Sequence, residues 1–326
     1  MTVQLLALLL CVILLLPAVV GPRVLRSAAP LLMRLPRLTI GLLTGSVVVW
    51  VLAALSVGPM LAWLVTGPDV LPDNAAAVCT RCLAAADPFG LERVDTVIPV
   101  VVLLAVPVAV SVAYAASIVV ELRRRHHTMS GTAARFRRES TPARLHGHAV
   151  RLVDEPHPFA LTMPRRHGGI VVSTGAVELL TEQELRAVLA HEHAHLQQRH
   201  HLVKAIVSTL SARLRWVPLV AAVEAALGHY LEIAADDAAR RQAGTPALAS
   251  ALLTLGEHGR PGASGDGLVG ALHALGPDRI RHLVQPDRGT AGVAATVASA
   301  FCLTSLALLA AVVHVPYALA VVTGCF

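Results

Sequence analysis

Hydrophobic positions along this chain fall into two kinds of run. The first kind is long and unbroken. Residues 38–68 and 96–120 hold no charged side chain, and from Gly289 to the end only His314 could carry one. Each run exceeds the roughly 20 residues with which a helix crosses a bilayer. Val3–Val20 is a shorter run of the same kind, about 27 Å long as a helix. The pattern therefore predicts four spans, at about 3–20, 38–66, 96–120 and within 290–322. The second kind of run lies between the third and fourth spans and changes period as it goes. Val150–Val153 and Ile170–Ser173 are short β-branched runs flanking a loop with Pro156, Pro158, Pro164, Gly168 and Gly169, which predicts a small sheet. Thr181-Glu182-Gln183-Glu184 is a capping box that opens a helix, with Leu180 able to staple onto Leu185. Residues 205–223 are apolar but interrupted by Arg213 and Arg215, with Trp216 and Pro218 between the halves. Each half is too short to span, so the segment either packs the domain onto the membrane surface or forms core helices. The next helix ends at Gly244 with Pro246 beyond it, and Gly256–Gly270, with six glycines and Pro261, predicts a mobile loop.

Charge orients the spans. Arg23, Arg26, Arg34 and Arg37 follow the first run, which puts loop 21–37 in the cytoplasm and the N-terminus outside. Because these arginines come after the apolar run and no Ala-x-Ala site follows, the run reads as an anchor that is kept and not as a cleaved signal peptide. The outer loop 67–95 carries five acidic residues against Arg81 and Arg93, and Arg123-Arg124-Arg125 close the third span on the cytoplasmic side. The expected organisation is a membrane region over 1–120 with three spans, a cytoplasmic domain over 121–289, and a fourth span with a short outer C-terminus over 290–326. The basic cluster from Arg123 to Arg151 abuts a span and lacks interleaved aromatics, so its expected partner is the lipid bilayer, with no direct nucleic acid contact. Cys79 and Cys82 form a lone Cys-x-x-Cys in the outer loop and are expected to be disulfide-bonded. Cys11, Cys302 and Cys325 read as small apolar residues in or beside spans.

The chemistry is concentrated in Ala190-His191-Glu192-His193-Ala194-His195, a His-Glu-x-x-His on the helix that the capping box opens. Two histidines four residues apart lie about 40° apart around a helix, so His191 and His195 can reach one cation. Zn2+ accepts two nitrogens and a carboxylate and leaves a fourth position for a water, whose proton Glu192 can take. That is the chemistry of a zinc peptidase. The third ligand is expected from the segment His229-Tyr230-Leu231-Glu232-Ile233-Ala234-Ala235-Asp236, in which Glu232 and Asp236 share a helix face. Glu232 completes the metal set, and Asp236 accepts the second ring N–H of a ligand histidine. His229 shares the face of Glu232 and is a candidate stabiliser of the transition state. His193 points away from the metal, and His200 and His201, past the motif, are expected in solvent. Ile170, Val171, Val172 and Ser173 form a candidate edge strand beside the metal, where an extended protein substrate can add by β-augmentation.

Together these residues resemble the integral-membrane gluzincin peptidases. Ile170-Val171-Val172-Ser173-Thr174-Gly175 leads through Leu179 and Leu180 to the His-Glu-x-x-His and then to Glu232-x-x-Ala235-Asp236. Gly276-Pro277-Asp278-Arg279-Ile280-Arg281-His282-Leu283 is similar to the segment that ends many of their catalytic domains. The likeness covers about residues 150–285. Three spans before the zinc domain and one after it resemble the beta-lactam-sensing antirepressor branch, which is related to the HtpX and CAAX-processing proteases. The chain departs from that branch by lacking a penicillin-binding sensor after the fourth span. The resemblance implies a mainly α membrane protein, with four transmembrane helices and a small α+β zinc-metallopeptidase domain between the third and fourth. It implies one Zn2+ per chain and endoproteolysis of a protein at the cytoplasmic face, a transcriptional repressor being one candidate. The alternatives are quality-control proteolysis of membrane proteins and a zinc-binding signalling scaffold without turnover. Glu192 argues against the scaffold, since a structural site needs ligands but no base.

Overall fold

The computed structural model describes residues 3–66, 100–258 and 292–323. The loop with Cys79 and Cys82, most of the glycine-rich stretch 256–270, the segment 276–283 and Cys325 lie outside the described residues.

The first helix, α1 (Val3–Leu32), continues well past the end of its apolar run and through Pro17, Pro22 and Pro30. Residues 21–32, read from sequence as loop, are therefore helical. Packing explains it: Ala28 and Leu32 are buried in the same core as Leu14 and Ala18, and Gly21 lies against Leu219. A short turn leads to α2 (Pro36–Thr66), where Pro36 opens the helix and the Thr39 hydroxyl donates to the Leu32 carbonyl at 2.7 Å, satisfying one acceptor that the end of α1 leaves over. The next helix, α3 (Val100–Glu139), runs without a break from the third apolar run through the basic stretch. Its outer side chains include Val108, Val112 and Val120, all more than 60% exposed. Such a face suits acyl chains. The last described helix, α9, is Val293–Thr323.

Between α3 and α9 the chain forms a four-stranded sheet of β1 (Ser140–Leu145), β2 (His148–Val153), β3 (Ala160–Thr162) and β4 (Ile170–Ser173), in the order β1-β2-β4-β3. The strands β1 and β3 are absent from the hydrophobic pattern, β1 because it is polar and β3 because it is only three residues long. His146 and Gly147 make the β1–β2 turn with φ of 47° and 84°, a two-residue reversal with both residues left-handed, as tight hairpins require. One expectation is corrected here. Ile170–Ser173 is not an edge strand, because it pairs with β2 on one side and β3 on the other. Its faces are covered as well: Ile170 and Val172 pack with Leu185, Val188 and Leu189, while Val171 packs with Ala133, Leu161 and Met163. A strand covered on all sides is apolar at every position, and that is the run the sequence shows. The edge next to the helices is β3.

A short helix, α4 (Thr174–Leu179), follows β4, with Gly175 so close to Pro156 that a Cβ there would stand 2.0 Å from its carbonyl oxygen. The helix α5 (Glu182–Gln197) has Thr181 as its N-cap, and the reciprocal bonds between Thr181 and Glu184 make the capping box. After it come α6 (His200–Ser211), α7 (Pro218–Ala243) and α8 (Thr245–His258). The helices α6 and α7 form a hairpin wedged among the long helices. Val207, Val220 and Val223 share a core with Val47 and Trp50 of α2, and the Tyr114 hydroxyl of α3 donates to the Leu210 carbonyl at 2.8 Å. The apolar segment 205–223 is thus neither confined to the surface of the bundle nor part of the small domain alone. Arg215, which interrupts its pattern, is paired with Glu224 through two bonds of 2.8 Å. Among the described residues three helical stretches are long and apolar enough to cross a membrane: Val12–Leu32, Pro36–Leu55 and Pro218–Ala243. The protein is mostly helical, and its apolar helices are those of a membrane protein.

Candidate active site

Two antiparallel packing partners, α5 and α7, supply the donors. On α5 the capping box and the buried Leu185, Val188 and Leu189 fix the rotation of the helix, which turns His191, Glu192 and His195 toward α7. On α7, Ala235, Ala238 and Ala239 keep side chains small where the two helices meet, so Glu232 and Asp236 approach the imidazoles closely. His191 Nε2 stands 3.1 Å from His195 Nε2 and 3.3 Å from Glu232 Oε2, and His195 Nε2 stands 3.6 Å from Glu232 Oε1. Atoms bound at about 2.0–2.1 Å to a tetrahedral zinc lie about 3.3–3.4 Å from one another, and the three separations bracket that value. Two imidazole nitrogens and the two oxygens of one carboxylate therefore cluster at separations close to that value, with the donor chemistry of a zinc site, and the three residues form a group able to hold a metal.

The electrostatics favour a positive charge at that point. His191 is buried, which disfavours its protonated form, yet the hydrogen bonds and charges of Asp236 and Glu232 outweigh burial and raise it to about 10. Whatever cation occupies the point, the carboxylates favour it. Asp236 is itself buried, with Oδ1 3.0 Å from His191 Nδ1, on the side of the ring away from Glu232. Glu192 is buried too, and the Thr162 hydroxyl at the end of β3 lies 2.7 Å from its Oε2 and 2.8 Å from its carbonyl oxygen.

The remaining histidines separate. His193 is half-buried on the other side of α5, against His148, with Gln197 at 2.9 Å. His229 is half-buried and stacks edge-on against Tyr230 at 5.8 Å; it is not one of the three converging donors. His200 and His201 differ from expectation, being buried and half-buried instead of solvated. His200 Nδ1 lies 2.8 Å from His195 Nδ1, and burial, reinforced by the neighbouring His195, lowers its pKa to about 3. Sequence reasoning missed both His200 and Thr162. Thr162 carries no motif, and His200 is five residues from His195, a spacing that points elsewhere on a continuous helix.

Comparison with known proteins agrees with this geometry. Residues 121–256, which contain every donor described above, match the model of Peptidase family M48. A "Protease HtpX homolog" of Ralstonia pickettii is 39% identical over 67 residues, 20% of this chain and 23% of that protein. The protein of the same name from Thermodesulfovibrio yellowstonii is 31% identical over 87 residues, 26% of this chain and 31% of its own length. That of Burkholderia mallei is 35% identical over 77 residues, 23% and 27% of the two chains. The chain thus spans less than a third of the length of these curated relatives. No solved structure matches.

Proposed function

We propose that the protein is a zinc-dependent endopeptidase of the membrane that cleaves protein substrates at the cytoplasmic face. The observation that carries this reading is the convergence of His191, His195 and Glu232, with donor atoms 3.1–3.6 Å apart, beside a buried glutamate that follows the first histidine. His191, His195 and Glu232 would hold the metal, which supplies polarisation of the scissile carbonyl and acidification of the attacking water. Glu192 takes the proton of that water as its oxygen bonds to the carbonyl carbon, and returns it to the amide nitrogen as the C–N bond breaks. Thr162 holds the Glu192 carboxylate in place, and Asp236 fixes the ring of His191. His229 is the candidate donor to the developing oxyanion. The edge of β3 that pairs with no strand in the sheet receives an extended peptide, in place of Ile170–Ser173, and leads it toward Glu192.

Substrates that are membrane proteins are favoured because the donors stand at the foot of a helical hairpin packed into the bundle. Cleavage of a cytoplasmic repressor is the second reading, favoured by a basic stretch and domain that follow three apolar runs. Substrate trapping separates them. Replacing Glu192 by Gln should leave near-stoichiometric zinc while proteolysis falls at least ~100-fold, the scale of losing a positioned base. The polypeptides that then accumulate intact on the protein should be membrane-embedded; a soluble DNA-binding protein would establish the second reading, and unchanged proteolysis would exclude a peptidase of this mechanism.

A further inference from the structure

His195 is a ligand in the reading above, and its support is not of the same kind as that of His191. His191 has a carboxylate behind it, whereas His195 has His200. Since Nε2 of His195 faces the other two donors, its Nδ1 must carry the ring proton, and the Nδ1 of His200 at 2.8 Å must accept it. His200 then bears its own proton on Nε2, which faces the Gln198 amide oxygen at 3.4 Å; the Gln198 amide nitrogen in turn faces the carbonyl of Ala234 at 3.4 Å. Ala234 lies on α7 between Glu232 and Asp236. The path therefore starts at a ligand on α5 and ends on the backbone of the helix that carries the third donor.

The backbone is shaped to make this path. Had α5 continued, a residue five positions after His195 would lie about 140° around the axis and point away from it. The helix instead stops at Gln197, Arg199 takes a left-handed conformation with φ 52° and ψ 38°, and α6 restarts at His200. That conformation is uncommon for a residue with a Cβ. It turns His200 back beneath His195, where its side chain is buried.

We infer that His200 is a positioning residue for the metal: as a neutral imidazole acceptor it fixes the tautomer and rotation of His195 and, through Gln198, ties that ligand to the helix carrying Glu232. A neutral partner suits the second histidine, because three buried carboxylates, Glu192, Glu232 and Asp236, already face the two positive charges of a zinc ion; a fourth behind His195 would add to the excess negative charge.

The inference rests on the proposed zinc site, and its test keeps the two apart. Zinc affinity of the full-length protein in detergent is measured by competition with a chromophoric chelator for the wild type, His200→Ala and His200→Asn, with the unfolding temperature of each metal-free protein recorded alongside. Asparagine places its amide oxygen where Nδ1 stands. His200→Ala should bind zinc ~10–100-fold more weakly, and His200→Asn should stay within about threefold of wild type. Wild-type affinity in His200→Ala would overturn the inference while leaving the zinc site standing. Equal loss in both variants, tracking a shared fall in metal-free stability, would also overturn it by showing that His200 only fills space. Failure of the wild type itself to bind zinc would overturn the metal site and this inference with it.

Discussion

At the scale of the residue, the candidate site turns on one methylene. Glu232 and Asp236 are both buried carboxylates on one face of α7, and both stand within 3.3 Å of a nitrogen of the same imidazole. They differ in which nitrogen. The longer side chain reaches Nε2, beside His195, and the shorter reaches Nδ1, behind the ring. Glu232→Ala should therefore abolish tight zinc binding, whereas Asp236→Ala should weaken it by ~10–100-fold and leave a measurable remnant. A zinc titration of the two variants that ranks them the other way would show their roles to be exchanged. These residues were legible because the spacing of four is itself a statement about a helix face. Thr162 and His200 were not, since each reaches the site through a break in regular structure: the end of a three-residue strand in one case, a left-handed residue between two helices in the other. Periodicity cannot report where a chain turns back on itself.

At the scale of the element, the sheet shows what pattern can and cannot carry. The two β-branched runs are both strands and pair in parallel, but a fully apolar strand reads the same at an edge as at the centre until its neighbours are known. The neighbour that displaced β4 from the edge is β3, and β3 ends at Thr162. The hydroxyl of Thr162 is the group bonded to Glu192, so its removal can be separated from the strand. Thr162→Val keeps the β-branched shape and volume and leaves one buried carboxylate with a donor fewer. Peptide turnover should fall by about tenfold, the low end of what a misplaced base costs, with zinc affinity unchanged. Turnover equal to wild type would remove Thr162 from the mechanism and leave β3 as an edge alone. The capping box of α5, by contrast, was complete in the sequence, because all of its partners lie within four residues.

At the scale of the whole molecule, the hairpin of α6 and α7 relates the site to the bilayer. Tyr114, whose hydroxyl meets Leu210 near the tip, comes nine residues before Arg123, about 14 Å of helix from the basic stretch that should mark the membrane surface. The tip exposes Trp216 at 77%, with its ring nitrogen donating to the Arg213 carbonyl, and pairing with Glu224 lowers the cost of the Arg215 charge at that depth, while Arg213 stays exposed. From Pro218 to Glu232 is fourteen residues, about 21 Å, so if the membrane surface lies at Arg123 and both helices follow the membrane normal, the donors would stand about 7 Å outside the hydrocarbon, on a helix that is itself long and apolar enough to cross a membrane. An extended chain covers that distance in two or three residues. A substrate emerging from the bilayer would then meet β3 and Glu192 almost at once, which is why the hairpin favours membrane-protein substrates over a freely diffusing repressor. The depth is measurable through Trp216 once Trp50 and Trp63 are replaced by Phe. In vesicles of lipids brominated along their acyl chains its fluorescence should be strongly quenched, and aqueous iodide should have little effect. Efficient quenching by iodide with none by the brominated chains would lift the hairpin out of the membrane and take with it the argument that substrates arrive from the bilayer.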